Sequence, residues 1–497
     1  MKDLLLVLPL LLPLLGGLLS FFLRRSPLGD GVALASALAQ LGLGVFLLGY
    51  VQVKGIQSTA LSGWPAPFGI VLVLDTFAAL MVFTAALVGL AVTLYSLRGI
   101  DPGRKSLGYF GFLQFMLFGV QGAFLTGDVF NLYVWLEVML LSSFVLLTLG
   151  GERAQLLGGF KYFALNFLSS LFYLMGAGLL YGLTGSLNLA DLHLRIDQVE
   201  PTRTSVVAGF FLLALSIKAA LFPLFFWLPA SYHTPPLPVA AFFAALPTKV
   251  AVYALFRLFT VLFYQEPELW HRLILWIAGF TMVTGVLGAL AQMEVRRLLS
   301  FHIISQIGYM IMGLGLFTPL GIAGGIFYIV HHIFVKAALF LVAGLAQRLL
   351  GSFHLEELGG LYRFRPYLAL LFVVPALSLA GVPPFSGFFA KLFLVVGGME
   401  IGEYAIVGVS LLVGLFTLMS MMKIWREAFW KPLPQERQEA LLRASVPRTM
   451  VVGTALLSFI TVFIGLGAGY GFALAERAAW ELLDPSDYIK AVLGGGR

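Results

Sequence analysis

The chain has 497 residues, 60% of them hydrophobic and only 11% charged, with a mean hydropathy of +0.96 and a formal charge of +7. Soluble domains are about 45–50% apolar and one helical crossing takes about 20 apolar residues, so this is an integral membrane protein with room for many spans rather than a single anchor. Zero cysteines exclude disulfides, thiolate-held iron–sulfur clusters and CxxCH haem attachment within the chain, and the scattered positive charge forms no basic tract of the kind nucleic acid requires.

Taken in chain order, the apolar runs predict about fourteen helices, centred near Leu14, Gly42, Leu87, Phe118, Leu140, Phe172, Leu215, Val250, Thr281, Met310, Phe334, Leu379, Leu412 and Leu457. The expected fold class is therefore an all-α integral membrane protein. The first run, residues 4–23, ends at Arg24-Arg25 with no small-residue cleavage pattern and reads as a retained helix rather than a signal peptide. Between helices two and three, an external loop at 62–68 (SGWPAPF) and a short β-like run lead to Asp75, which is placed to cap helix three. Lys and Arg are in excess in the odd-numbered loops, which puts those loops in the cytoplasm and both termini outside the plasma membrane. The longest polar stretch, 430–448, is too short to bury a core, so function has to be read from polar groups in or beside the bilayer.

Seven formally charged residues then remain within spans or at their edges: Asp75, Glu137, Lys218, Lys249, Arg257, Lys336 and Lys391. A charge at mid-bilayer costs about 2.5–3.5 kcal/mol on insertion scales, so such groups line wet paths or pair inside a bundle. Glu137 on helix five has no polar neighbour in sequence, so its partner must come from another helix. Lys218 is the natural candidate, because it lies just over one turn before Pro223, whose missing N–H frees a backbone carbonyl. On helix eight, Lys249 is central and reads as a transfer group. Arg257 lies about 12 Å further along the axis and reads as a snorkelling anchor, an always-charged group being a poor proton carrier.

Helix ten carries His302, Ser305, Gln306 and Tyr309 at i, i+3, i+4 and i+7, one polar stripe that serves equally as a water-lined wall or as interhelical packing. Helix eleven offers His331, His332 and Lys336. Adjacent histidines on a helix diverge by about 100° and no third ligand is suitably spaced, so this reads as a proton relay or as interhelical hydrogen bonding rather than a metal site. Lys391 stands just after the interruption in helix twelve and mirrors Lys218.

Helices seven and twelve are broken alike, by Pro223 and Pro229 in one and by 381–387 (GVPPFSG) in the other, and paired broken helices mark transporter repeats. Five crossings separate them, an odd number, so helices 4–8 and 9–13 form an inverted repeat. The implied division is 1–106 for helices 1–3, 107–265 for the first repeat, 266–430 for the second, and 431–497 for a cytoplasmic loop, helix fourteen and an external tail. The pentapeptide KAALF at 218–222 and again at 336–340 would instead pair helix seven with eleven; in a chain this rich in Ala, Leu and Phe it reads as chance. No phosphate-binding loop, nucleophile elbow or metal motif accompanies these residues, so proton transport along Glu137, Lys218, Lys249, His331, His332, Lys336 and Lys391, with neither cofactor nor metal, is the reading they support.

The segments 126–137 (TGDVFNLYVWLE), 218–229 (KAALFPLFFWLP), 247–253 (PTKVAVY) and 383–391 (PPFSGFFAK) resemble the antiporter-like subunits shared by respiratory complex I and Mrp-type cation/proton antiporters. The similarity covers nearly the whole chain, and 62–68 with 127–131 (GDVFN) point to the D-type members of the Mrp branch. The resemblance implies that Glu137 and Lys218 are the proton-handling pair, that Lys249 is central and Lys391 near the far exit, with His331 and His332 as connectors. It also implies a place among other hydrophobic subunits of a hetero-oligomeric complex exchanging protons for Na+. A pumping subunit of a redox-driven complex, such as complex I or a membrane-bound hydrogenase, is the alternative. The family's longest members continue into a lateral helix, where this chain shows only a short tail.

Overall fold

The computed structural model describes residues 2–494; Met1 and 495–497, on which the expectation for the two termini falls, lie outside the described residues. It is 81% helical. In chain order the long helices are α1 (Lys2–Phe22), α2 (Pro27–Lys54), α3 (Thr76–Gly99), α4 (Tyr109–Leu125), α5 (Val129–Thr148), α6 (Arg153–Thr184) and α7a (Pro201–Ala219). Helix eight is split into α8a (Leu237–Ala245) and α8b (Pro247–Val261), followed by α9 (Pro267–Leu290), α10 (Val295–Leu316) and α11 (Pro319–Leu350). The remainder are α12a (Pro366–Ala380), α12b (Ser386–Glu400), α13 (Tyr404–Ile424), α14 (Arg448–Leu466), α15 (Ala468–Leu483) and α16 (Ser486–Leu493).

Each of the fourteen expected centres lies in a helix. Twelve helices among the described residues are long and apolar enough to cross a membrane, with 8a and 8b taken as one, while α4 and α12a are shorter apolar helices of 17 and 15 residues. Proline opens α2, α7a, α8b, α9, α11 and α12a, where its missing N–H leaves no intrahelical bond unmade. The expected β-like run is a hairpin, β1 (Gln57–Ala60) antiparallel to β2 (Val71–Leu74) with Gln57 opposite Leu74. The segment after α14 is more than a tail, because α15 and α16 dock on the bundle through Ala475, Ala478, Ala479 and Tyr488. Hydropathy favours helices apolar on every side, and these two are one-faced.

The centre of the bundle is α3, α8, α10 and α11, whose apolar windows are 89%, 100%, 94% and 100% buried, against 39% and 28% for α1 and α2. The inner four carry most of the polar residues singled out above.

Two backbone patterns recur. At the start of α5, Asp128 bridges Asn188, with Val129 N–H bonded to the Leu187 carbonyl and Leu189 N–H to that of Gly127. At the start of α10, Glu294 bridges His354, with Val295 N–H to the Phe353 carbonyl and Leu355 N–H to that of Met293. The offset is 166 residues in both strands of the bridge (294 − 128 and 354 − 188), and Asp128 and Glu294 each cap their helix. The second pattern is the helix break. Both α7a and α12a end on a left-handed residue, Ala220 at φ 58° and Gly381 at φ 91°. Leu221 N–H then reaches back to the Ser216 carbonyl as Val382 N–H does to that of Leu377.

Candidate functional site

Glu137 points from α5 towards α6 and α7a. Its carboxylate accepts a short hydrogen bond from the Ser170 hydroxyl, and its Oε1 lies 3.8 Å from Lys218 Nζ. Lys218 Nζ in turn lies 3.1 Å from Ser170 Oγ and 3.4 Å from the Asn166 carbonyl. The expected pair is therefore a three-residue bridge. Its lysine is buried, while the glutamate side chain keeps 22% of its surface exposed in the single chain. Lys218 sits in the last turn of α7a because the chain cannot continue the helix past Ala220, and that turn carries the negative end of the helix dipole. Ser170 is not among the residues expected from the sequence. Its signal is the spacing Tyr162, Asn166, Ser170 at four-residue steps, a polar stripe on α6 buried throughout.

Lys249 stands two residues into α8b and donates across the break at Leu246 to the Ala244 carbonyl, at 2.5 Å. Like Lys336 and His332 it is fully buried, and these three groups act electrostatically on one another. Lys336 reaches the Leu299 carbonyl at 3.4 Å, and neither ring nitrogen of His332 has a hydrogen-bond partner among the described residues. His331 turns away, its Nδ1 2.8 Å from Ser386 Oγ at the start of α12b, with Ser378 Oγ a further 3.1 Å on. Lys391 closes the row. Its Nζ donates to the Ala380 and Leu379 carbonyls at 2.8 and 3.1 Å, the released end of α12a, and lies 5.0 Å over the Tyr309 ring.

Three residues of the α10 stripe bond to α13. His302 meets Ser420 in a short hydrogen bond, Gln306 Nε2 reaches Thr417 at 3.4 Å, and the Tyr309 hydroxyl donates to the Ser410 carbonyl. Tyr328 on α11 donates to Gln306 Oε1 at 2.5 Å. Ser305 departs from the set and donates to the Met282 carbonyl on α9.

The expectation for Arg257 is overturned. Arg257 does not snorkel; it is 5% exposed and makes a bidentate ion pair with Asp75, one contact being Nη2 to Oδ1 at 3.0 Å. Asp75 caps α3 as expected, accepting from Ala78 N–H at 2.8 Å, and the same carboxylate compensates the arginine. A guanidinium stays buried only when its charge is matched in this way, and no sequence spacing announces a partner 182 residues distant.

Residues 126–417 match the family described as NADH:quinone oxidoreductase/Mrp antiporter, TM. The chain belongs to this family. A curated relative, the D subunit of the Na(+)/H(+) antiporter of Alkalihalophilus pseudofirmus, is 43% identical over 98% of this chain and 99% of its own length. Among solved structures, a chain of the Mrp complex from Dietzia sp. superposes with a TM-score of 0.91 at 33% identity, covering 99% of this antiporter-family chain and 100% of the other. A chain of the membrane-bound sulfane sulfur reductase, an archaeal respiratory membrane complex, gives 0.89 at 25% identity, covering 98% and 99%.

Proposed function

We propose that this protein is the proton-translocating subunit of a multisubunit Na+/H+ antiporter in the plasma membrane, with both termini outside. Protons pass along Glu137, Lys218, Lys249, Lys336, His332, His331 and Lys391. The observation that carries the reading is the Glu137–Ser170–Lys218 bridge at a helix break. Burial and a neighbouring carboxylate act on a lysine's proton affinity in opposite senses, so parting and re-forming the pair loads and releases a proton. Beyond the bridge, lysines and histidines continue the row through α8b and α11, whose apolar windows are fully buried, to Lys391 on α12b. The relatives named above, one an antiporter subunit and one part of an Mrp complex, support Na+ as the exchanged ion and other hydrophobic subunits as partners.

The 166-residue recurrence of the bridge and the similar endings of α7a and α12a support helices 4–8 and 9–13 as the two units of an inverted repeat, with 107–265 and 266–430 as their bounds. The test of the path is transport in membrane vesicles containing the assembled complex. Glu137→Ala and Lys218→Ala each abolish proton-coupled Na+ transport without preventing assembly, and coupled transport retained in both overturns the path.

The likeness to the archaeal respiratory complex favours a second reading, in which redox chemistry in other subunits drives the same residues. Purification from native membranes separates the two. Hydrophobic partners free of iron and flavin support the antiporter, and stoichiometric iron with large soluble subunits supports the redox pump.

A further inference from the structure

At the end of α8b opposite the break, Arg257 is enclosed from several directions. Asp75 at the start of α3 holds two of its nitrogens, and the Tyr253 hydroxyl, 2.6 Å from Nη2, donates onward at 2.7 Å to the Phe124 carbonyl at the end of α4. The Tyr488 ring, from α16, lies 5.6 Å from the guanidinium carbon, and its hydroxyl packs so closely on Gly127 that a Cβ there would be 3.0 Å away. Asp75, Arg257, Tyr253 and Tyr488 are all 5% exposed or less. Beside them Glu481 of α15 accepts from Thr76 N–H at 2.8 Å and from the Thr76 hydroxyl at 2.7 Å, which ties the same corner of α3 to the C-terminal segment.

We propose that Asp75, Arg257 and Tyr488 form a clamp that positions α8b and, through it, Lys249. The proposal rests on the transfer role given to Lys249 above. At the break Lys249 bonds the Ala244 carbonyl, and Arg257, eight residues or about 12 Å along the same helix, fixes its height and rotation through the ion pair with Asp75. A buried guanidinium suits that task, because it tolerates no displacement from its carboxylate. An α-helix moves as a rod, so a shift at Arg257 arrives at Lys249 undiminished. Arg257 itself carries no proton. Asp75, Arg257 and Tyr488 are positioning residues.

Asp75→Asn isolates the clamp, because asparagine caps a helix as well as aspartate but leaves Arg257 without its counter-charge. In vesicles containing the assembled complex, the expected result is normal co-purification of subunits, transport slowed by about a hundredfold, the effect of an ångström-scale misplacement, and a displaced pH profile. Wild-type rate and pH profile in Asp75→Asn overturn the proposal. So does a reduced amount of complex whose remaining transport keeps the wild-type pH profile, since that is a brace and nothing more. If Asp75→Asn does not assemble, Tyr488→Leu, which leaves the ion pair intact, is read by the same criteria. Lys249→Gln run in parallel separates the two readings: transport retained there overturns the path at Lys249, whereas transport lost there but untouched in Asp75→Asn overturns the clamp alone.

Discussion

Ser170 stands between two charges that the sequence places on different helices. Its hydroxyl donates to Glu137, and Lys218 Nζ lies 3.1 Å from the same oxygen, so one atom mediates a contact that spans 3.8 Å directly. A hydrogen bond to a charged group contributes about 1.5–3 kcal/mol, which is about a tenfold to hundredfold change in the balance between paired and parted states. Ser170→Ala is therefore expected to leave the complex assembled and to slow proton-coupled transport by that factor, measured with a pH-sensitive dye in vesicles. An unchanged rate makes the serine a bystander. Glu137, Lys218, Lys249, Lys336 and Lys391 were legible because a charge inside an apolar run stands out. Ser170 and Ser386 were not, since serine is common in membrane helices and only a partner from another helix gives it meaning. For the same reason Asp75 and Arg257 were read separately, one as a cap and one as an anchor.

Among the elements, the two broken helices were visible from their prolines, whereas the break in helix eight was not, although Pro247 marks it. Lys249 emerges there in the setting expected only for Lys218 and Lys391, beside a carbonyl at a helix break. The helices after α14 escaped because hydropathy detects length and apolarity, and α15 and α16 have one apolar face on 16 and 8 residues. Their docking is expected to depend on pH through Glu481. Burial raises the Glu481 carboxyl above its ordinary value and the Asp75 carboxylate acts in the same sense, against the hydrogen bonds from Thr76 and Arg477. The docked segment thus binds a proton more tightly than an undocked one. This contribution to docking is fully present below the ordinary carboxylate value of 4.5 and is lost as pH rises through the raised one. Hydrogen-exchange protection factors for residues 468–493, corrected for intrinsic rates, should fall over that interval in wild type and stay level in Glu481→Gln. Protection that rises with pH contradicts the assignment.

On the scale of the whole molecule, composition alone announced a polytopic membrane protein and the apolar runs found its helices. What they could not supply is which helices lie inside. α1 and α11 are both strongly apolar, with mean hydropathies of 2.4 and 2.0, yet one is 39% and the other 100% buried. Gly313 and Gly325, lacking a Cβ, let α10 and α11 touch, but glycine alone does not decide burial, since Gly16 and Gly17 of α1 are met as closely by Ser36 and Phe115. The burial of α11 encloses Lys336, which the proposed path places between Lys249 and Lys391. If the row is one continuous path, Lys336→Gln lowers proton-coupled transport by about a hundredfold, the scale of losing a proton-transfer group, while subunit assembly is unaffected. A wild-type rate in that variant means that the two ends of the row work independently.

The Asp75–Arg257 joint also has a history. Arg257 follows Asp75 by 182 residues, and Tyr488 follows Asp75 by 413 (488 − 75). At about 5–20 residues per second of synthesis, the cap of α3 is made on the order of 20–80 s before the aromatic ring that covers the arginine. Arg257 is itself made 182 residues into that stretch, so over the remaining 231 (488 − 257) the growing chain holds the ion pair without the ring that covers it. The joint can therefore close only once α16 has been made, and α3 and α8b meet before the segment that covers their contact exists.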